Sequence, residues 1–403
     1  MKITDVKTYS ISIPIPKPYF HPAWIPGFTE KHFTFTLIEI LSDEGIKGYS
    51  SVLSFSILRT KKFIDKKVKP LIPEQVEDIA DIERFVQNMR SMNIPKKSAG
   101  TTPYKKRLLF PHITKGLYML RHFEPRLWCV EVALWDLLGK AKNKPVCELL
   151  GRTQERVKAY ISTGEKISIE KHVEDARRYK EQGIKAIKLR AHHRNIKNDL
   201  KAIEKVRETV GADMEIMVDA NQAPNPLPPF WSRKKALNFA RELERLKCLW
   251  LEEPLPMHDL YGIRELQEKA EILIAGGELE QGEERFGQLL DCYDIIQPDV
   301  HFSGGIGQVK RIGEMAAQKG KMLIPHCWGS GLSLAANLQL IGSLSNCPYL
   351  EYPCDPPFTT DIRDAILTES IKIGNDGYVT IPQKPGLGVE VNEAVIKRYG
   401  KDS

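Results

Sequence analysis

The chain opens with alternating apolar and polar residues. KITDVKTYSISI and HFTFTLIEILSDEGIKGYSSV read as β-strands, with the turn of a hairpin at Asp43 to Gly45. Residues 60–122 read as mostly helical, interrupted by a Pro/Lys-rich loop near 94–108. Residues 1–122 thus predict an α+β block. PRLWCVEVALWDLLGKAKNKPVCELLG (125–151) predicts an amphipathic helix, a turn and a short second helix. A repeating pattern follows. The strand candidates are VKAYIST (157–163), KAIKLRA (185–191), EIMVDA (215–220), LWLEEP (249–254), ILIAGGE (272–278), IIQPDV (295–300), KMLIPHC (321–327) and YLEYP (349–353). Between the first seven lie helical stretches such as EKHVEDARRYKEQG and KNDLKAIEKVRETVG. Eight strands alternating with helices predict a parallel sheet closed into an α/β barrel. After Tyr349 no clean helix of the same kind returns. The last unit is therefore expected to be irregular, and the tail 371–403 to fold back on the N-terminal block.

The expected strand ends carry the chemistry. Three acidic segments, VDANQ with Asp219, LWLEEP with Glu252 and Glu253, and AGGE with Glu278, each close an apolar run. They lie about thirty residues apart, the length of one strand-helix unit. Carboxylates at the same end of consecutive parallel strands converge, and a cluster of buried anions needs compensation. A hard divalent cation with oxygen ligands, such as Mg²⁺, supplies it. The other strand ends bring Lys188 and Arg190, Asp299, His326 and Glu351. Active sites of such barrels lie at this face.

Composition narrows the class. The chain has 403 residues, 42% of them hydrophobic, and a net charge of +7. No apolar run approaches the roughly 18 residues of a membrane span. The opening MKITDVKTYSISIPIP has no signal-peptide core, so a cytoplasmic location is expected. The seven cysteines are odd in number and form no CxxC, which argues against a disulfide framework or a zinc site. KKFIDKKVK (61–69) and PYKKR (103–107) read as solvated faces, because no nucleic-acid motif accompanies them. Neither nucleic acid nor membrane is an expected partner. A mildly positive chain suits an anionic small substrate. SGGIG (303–307) lacks the Walker and dinucleotide spacings and reads as a tight turn.

Taken together, VDANQ, EEP, GGE, QPD followed by a Gly-Gly pair, PH and LE, in that order, resemble the enolase superfamily, specifically its mandelate racemase-like subgroup. The resemblance covers nearly the whole chain. It implies a modified TIM barrel, (β/α)₇β, over 123–370, an N-terminal α+β capping domain over 1–122, and a C-terminal segment, 371–403, that completes the cap. It implies Asp219, Glu252 and Glu278 as Mg²⁺ ligands, Asp299 and His326 as a catalytic dyad, and Glu351 as the residue that hydrogen-bonds the substrate carboxylate. It also implies a homo-oligomer. The loop PIPKPYFHPAWIPGF (14–28), with Tyr19, His21 and Trp24, either packs on another surface or folds over a ligand; the resemblance implies closure over substrate. Asn221 is a further substrate-binding candidate.

One departure matters. Racemases of this group carry Lys-X-Lys where this chain has Lys188-Leu189-Arg190. Arginine stays protonated and is a poor base. Arg190 suits a clamp or an enolate-stabilising charge, and His192 and His193 are read first as surface residues of the adjoining loop. The expected activity is therefore a Mg²⁺-dependent acid-sugar dehydratase. Lys188 and Arg190 stabilise charge, Asp299 orients His326 as acid and base, and a protonated Glu351 donates to the substrate. The alternative is a racemase or epimerase of a 2-hydroxy acid. The related cycloisomerases and dipeptide epimerases resemble forms with a lysine near Asp299, and TIM-barrel metallohydrolases want a His-X-His that AYISTGE (159–165) does not offer. A non-catalytic binding protein would have no use for the full set. Specificity is expected in the loop around Tyr19 to Trp24, in AHHR (191–194, with Arg194) and in NQAPNPLPPFW (221–231).

Overall fold

Long alternating strands need partners on both edges, and the N-terminal block supplies them. In the computed structural model, β1 (Ile3–Pro14), β2 (His32–Ser42) and β3 (Lys47–Leu53) form an antiparallel sheet. The turn between β2 and β3 uses Gly45 at φ 76°, a conformation that glycine adopts without steric cost. The structure describes residues 1–25, 27–53, 64–91, 128–193, 195–223 and 230–402. The 94–108 loop, PYKKR, the first part of KKFIDKKVK, Arg194 and the middle of NQAPNPLPPFW lie outside the described residues.

Helix α1 (Ile79–Ser91) follows, then α2 (Trp128–Ala141) and the short α3 (Val146–Leu149). The pattern of α2 predicts an amphipathic helix, but every residue from Cys129 to Gly139 is buried. The helix is sandwiched between the sheet, α1 and the barrel's helices, and a helix covered on all sides must pair its charges. Asp136 accepts from Lys140 Nζ at 2.6 Å and from the backbone N–H groups of Tyr49 and Leu387 at 2.8 Å each. The sheet can approach this closely because Gly48 lacks a side chain: a Cβ there would lie 2.3 Å from the Ala133 carbonyl.

Seven strand-helix units and a final strand make the barrel. They are β4 (Arg156–Ser162) with α4 (Ile169–Glu181), β5 (Ala186–Arg190) with α5 (Ile196–Val210), and β6 (Glu215–Asp219) with α6 (Arg233–Arg245). Then come β7 (Trp250–Glu252) with α7 (Leu260–Lys269), and β8 (Leu273–Gly276) with α8 (Glu283–Leu289). The last are β9 (Ile295–Ile296) with α9 (Gly305–Gln318), β10 (Met322–Leu323) with α10 (Gly331–Ile341), and β11 (Tyr349–Pro353). Parallel ladders run from β4 through β10, and β11 closes onto β4. This is the expected (β/α)₇β barrel. Tyr160, Ala186, Met217, Trp250, Ala275, Ile295 and Ile324, one from each of β4 to β9 and one just past β10, fill its interior. Bulky inward side chains of this kind make the barrel a packed core with chemistry only at its mouth.

The tail serves two partners. β12 (Tyr378–Thr380) pairs antiparallel with β4 of the barrel. β13 (Gly400–Asp402) pairs antiparallel with β1, so the chain's end adds a strand to the N-terminal sheet.

Candidate active site

Register places the charged residues side by side. Arg190 is paired with Asp219 between β5 and β6, and Asp219 with Glu252 between β6 and β7. Glu278 lies two residues beyond β8. Gly276 and Gly277 bring it there: a Cβ on Gly276 would lie 2.8 Å from the Tyr293 ring, and Gly277 has φ 105°. The ligand oxygens of Asp219, Glu252 and Glu278 all lie within 4.8 Å of one another. Burial, followed by repulsion from Glu252, pushes Asp219 well above the usual carboxylate range. Burial raises Glu278 as well. Glu252 goes the other way: burial is outweighed by Lys188, and its carboxyl is lowered. Three converging carboxylates, two of them reluctant to ionise, fit a hard divalent cation.

The fourth acidic residue of these segments is not in the cluster. Glu253 sits at φ 46° and its Oε2 has no hydrogen-bond partner among the described residues. Burial and the nearby Glu278, Asp219 and Glu252 push its carboxyl far up, toward the neutral acid.

Two cations face the cluster. Lys188 Nζ lies 2.7 Å from Glu252 Oε1, 2.7 Å from Glu351 Oε1 and 3.8 Å from Asp219 Oδ2. Burial opposes its charge, but Glu252 and Glu351 outweigh burial and raise its pKa. Arg190 donates to Asp219 Oδ2, to the Thr163 carbonyl at 2.6 Å and to Asn221 Oδ1 at 3.1 Å. Its guanidinium carbon lies 5.3 Å from the Trp24 ring and 5.6 Å from the Trp328 ring, within range of a cation–π contact. From below, Glu252 Oε2 accepts from Gln297 Nε2 at 2.8 Å and from Trp250 Nε1 at 3.2 Å.

Across the mouth, His326 Nδ1 lies 2.9 Å from Asp299 Oδ2, and its Nε2 lies 3.5 Å from Glu278 Oε2. Burial disfavours the imidazolium. Glu278, Glu351 and Asp299 more than offset it and push His326 up to about 10. Asp299 is lowered to about 2: His301 and His326 overcome its burial.

Glu351 departs from expectation. The sequence reading has it protonated and donating to the substrate. Here it accepts from Lys188, from Ser162 Oγ at 2.7 Å and from the Cys327 N–H at 2.7 Å. Burial is outweighed by Lys188, His326 and Arg190, and the carboxyl is lowered to about 2. In this arrangement Glu351 accepts three donors and holds Lys188, which favours its carboxylate form over the neutral acid.

The remaining candidates separate. Asn221 donates its N–H to Asp219 Oδ1 at 2.7 Å, and its Oδ1 lies 2.8 Å from His192 Nε2. His193 is held by Asp199, 2.6 Å from its Nδ1, at the start of α5. Of Tyr19, His21 and Trp24 in the N-terminal loop, only Trp24 reaches the charged cluster. Tyr19 packs under Lys17 and Lys31, and the exposed His21 ring is 3.3 Å from Thr29 Oγ1. The sequence reading missed Phe20, which is 1% exposed and packs on Trp24, Trp328 and Phe358. Trp328 also went unread, although it stands two residues after His326 and meets Trp24 edge-on at 4.9 Å. The loop is pinned to the barrel by Ala23 N–H to the Gly164 carbonyl at 2.8 Å and His21 N–H to Glu165 Oε1 at 2.5 Å.

Residues 171–395 match the family model described as Enolase C-terminal domain-like. The chain belongs to the enolase superfamily, in its mandelate racemase-like subgroup. Two relatives within the superfamily are dehydratases. Arabinonate dehydratase of Saccharolobus solfataricus is 31% identical over 403 residues, covering 98% of this chain and 99% of that protein. L-talarate/galactarate dehydratase of Salmonella typhimurium is 28% identical, covering 66% of this chain and 62% of that protein. Among solved enolase-superfamily structures, the 3,6-anhydro-D-galactonate cycloisomerase from Zobellia galactanivorans aligns over 100% of both chains with a TM-score of 0.78 and 28% identity.

Proposed function

We propose that this chain is a Mg²⁺-dependent acid-sugar dehydratase. It removes the proton α to a carboxylate and expels the β-hydroxyl as water, leaving a 2-keto-3-deoxy acid. The observation that carries the proposal is His326, held by Asp299 and aimed at the carboxylate cluster, with Lys188 and Arg190 on the opposite side. The dehydratase names of the relatives support the reaction class. Asp219, Glu252 and Glu278 would hold the Mg²⁺, which as a Lewis acid stabilises the negative charge that develops on the substrate carboxylate.

His326 is the proton carrier. Its Nδ1–H stays on Asp299, so Nε2 is the exchanging atom. Glu278 is the strongest charge holding that ring protonated, and neutralising this carboxylate frees Nε2 to act as a base. Nε2 takes the α-proton, and the C–H electron pair moves into the substrate as an enediolate. The same Nε2–H then passes to the β-hydroxyl, whose C–O electron pair leaves with water. The enol tautomerises to the ketone. One acid-base face suffices for a syn elimination.

Racemisation needs a base on the other face. Lys188 is held as a cation between Glu252 and Glu351, and Arg190 is held by Asp219. His192 is bonded to Asn221, and His193 to Asp199. This arrangement favours dehydration. A panel of aldonates and aldarates, incubated with the protein and Mg²⁺ and assayed for 2-keto acid, tests it. At least one acid should yield product. Exchange of the α-proton with solvent deuterium across the panel, without loss of water, would replace the proposal with a racemase.

A further inference from the structure

Asp299 has a second imidazole on it. His301, two residues on, donates its backbone N–H to Asp299 Oδ1 at 2.7 Å, and its ring Nδ1 lies 3.4 Å from the same oxygen. The ring is 3% exposed, and its Nε2 has no hydrogen-bond partner among the described residues. Nδ1 stands beside a carboxylate and Nε2 faces no acceptor among the described residues, so Nδ1 is the ring nitrogen whose N–H has a partner.

Asp299 is then gripped on both oxygens. The His301 backbone N–H donates to Oδ1 with the ring Nδ1 close beside it, and His326 takes Oδ2; the Asp299 backbone is fixed separately by its N–H to Ser303 Oγ at 3.1 Å. The carboxylate cannot rotate without breaking the contacts on its two oxygens. The plane of the carboxylate sets the direction of the His326 ring, and so the direction of Nε2. We infer that His301 is a positioning residue that acts through Asp299 to aim His326. The kinetic part of this inference rests on the dehydratase proposal; the geometric part does not.

The test compares His301→Asn with His301→Gln. An asparagine amide reaches the position of Nδ1, whereas a glutamine amide reaches that of Nε2. With histidine-selective ¹⁵N labelling, the wild-type protein should show a low-field Nδ1–H resonance from His326, assigned by its loss in His326→Asn. The resonance should persist in His301→Asn and broaden or vanish in His301→Gln. With an active sugar acid, His301→Gln should lower kcat about ten- to hundredfold with KM changed by less than about twofold, the range expected when an orienting partner is lost. His301→Asn should recover most of the rate. Thermal unfolding checks that both variants are folded. An unchanged His326 resonance in His301→Gln would overturn the inference, as would equal loss in both variants. If wild-type protein turns over no acid, the dehydratase proposal fails and the resonance alone decides the role of His301.

Discussion

The two halves of the barrel mouth handle buried charge differently. At the ends of β6 to β8, Asp219, Glu252 and Glu278 crowd within 4.8 Å; the carboxyls of Asp219 and Glu278 are pushed up, and only Glu252, beside Lys188, is lowered. At the ends of β9 to β11, Asp299 and Glu351 are equally buried, yet both are lowered to about 2. The difference lies in the partners. Asp299 and Glu351 each accept several N–H or O–H donors and stand beside a cation or an imidazole. The three-carboxylate half shares Lys188 and Arg190 among too many oxygens. Depth of burial alone does not decide whether a carboxylate ionises; the local count of donors and charges does. One half is complete as the chain folds it, and the other is built to receive a cation.

The largest effect should come from the complete half. His326→Asn keeps a polar side chain near Asp299 but removes the proton carrier. General acid-base groups contribute about 10²–10⁴-fold to rate. Because His326 serves two steps in the proposal, kcat should fall by about a thousandfold or more, while calorimetry shows substrate binding retained. Near-wild-type turnover would remove the mechanism.

The next contrast is between Glu278→Gln and Glu351→Gln. Breaking a buried ion pair by removing one partner costs about 3–5 kcal/mol. Glu351→Gln leaves Lys188 short of a charge and should lower the unfolding free energy of metal-free protein, measured by denaturant titration, by that order. Glu278→Gln relieves repulsion and should leave metal-free stability unchanged or raised. The wild type should also gain stability on adding Mg²⁺, about 2.7 kcal/mol at a hundredfold excess over Kd, and Glu278→Gln should lose that gain. Equal loss of stability in the two metal-free variants would erase the distinction between the halves.

Much of this was legible in the sequence, because barrel topology converts strand ends into neighbours. Eight apolar runs located β4 to β11, and the last residues of those runs named Asp219, Glu252 and Lys188 directly. What stayed hidden depends on direction rather than position. Glu252 and Glu253 are adjacent, and only backbone geometry turns one into the cluster and the other away. In the loop, Phe20 and Trp24 face the barrel while Tyr19 and His21 do not, a choice made by Gly164 and Glu165 some 140 residues further along. The ionised state of Glu351 needed the positions of Lys188, Ser162 and the Cys327 N–H, which come from three different strand ends. Gly-rich SGGIG was read as a tight turn; Ser303 and Gly304 are turn residues, Gly305 to Gly307 already belong to α9, and the partner of this segment was not visible. The buried carboxyl of Glu131 on α2 accepts the Ile306 and Gly307 N–H groups at 2.9 Å each, filling the start of α9 with acceptors from within the chain.

Stability against pH sharpens the contrast between well-served and poorly served carboxylates. Asp355, behind the N-terminal loop, is raised from 3.8 to about 7 by burial, against the Gly164 and Glu165 N–H groups. A raised folded pKa means that the folded state holds the proton more tightly. Its contribution is fully present below pH 3.8 and is lost as pH rises through about 7. Glu351 has the opposite sign: lowered from 4.5 to about 2, it contributes above pH 4.5 and fails as pH falls through about 2. Unfolding free energies measured between about pH 4 and 7 should therefore carry a downward slope of up to about 1.4 kcal/mol per pH unit from Asp355. Glu30 and Glu131, also raised to about 7 by burial, add slopes of the same sign, so Asp355→Asn should make the slope shallower by its own share. An identical slope in that variant would show that Asp355 is not the group responsible.

The smallest effects should separate neighbours within the loop. Trp24 lies over the Arg190 guanidinium and edge-on to Trp328, whereas the His21 ring is exposed and turned to Thr29. A cation–π contact is worth about 0.5–2 kcal/mol and an aromatic pair about 0.5–1.5 kcal/mol. Trp24→Leu should raise KM about three- to tenfold, because Arg190 loses one of the two rings that hold it against Asp219. His21→Ala removes only an exposed ring, and its backbone N–H to Glu165 survives, so KM should stay within about twofold. If His21→Ala proved as damaging as Trp24→Leu, the loop would have to sit differently during turnover, with His21 rather than Trp24 turned toward the substrate.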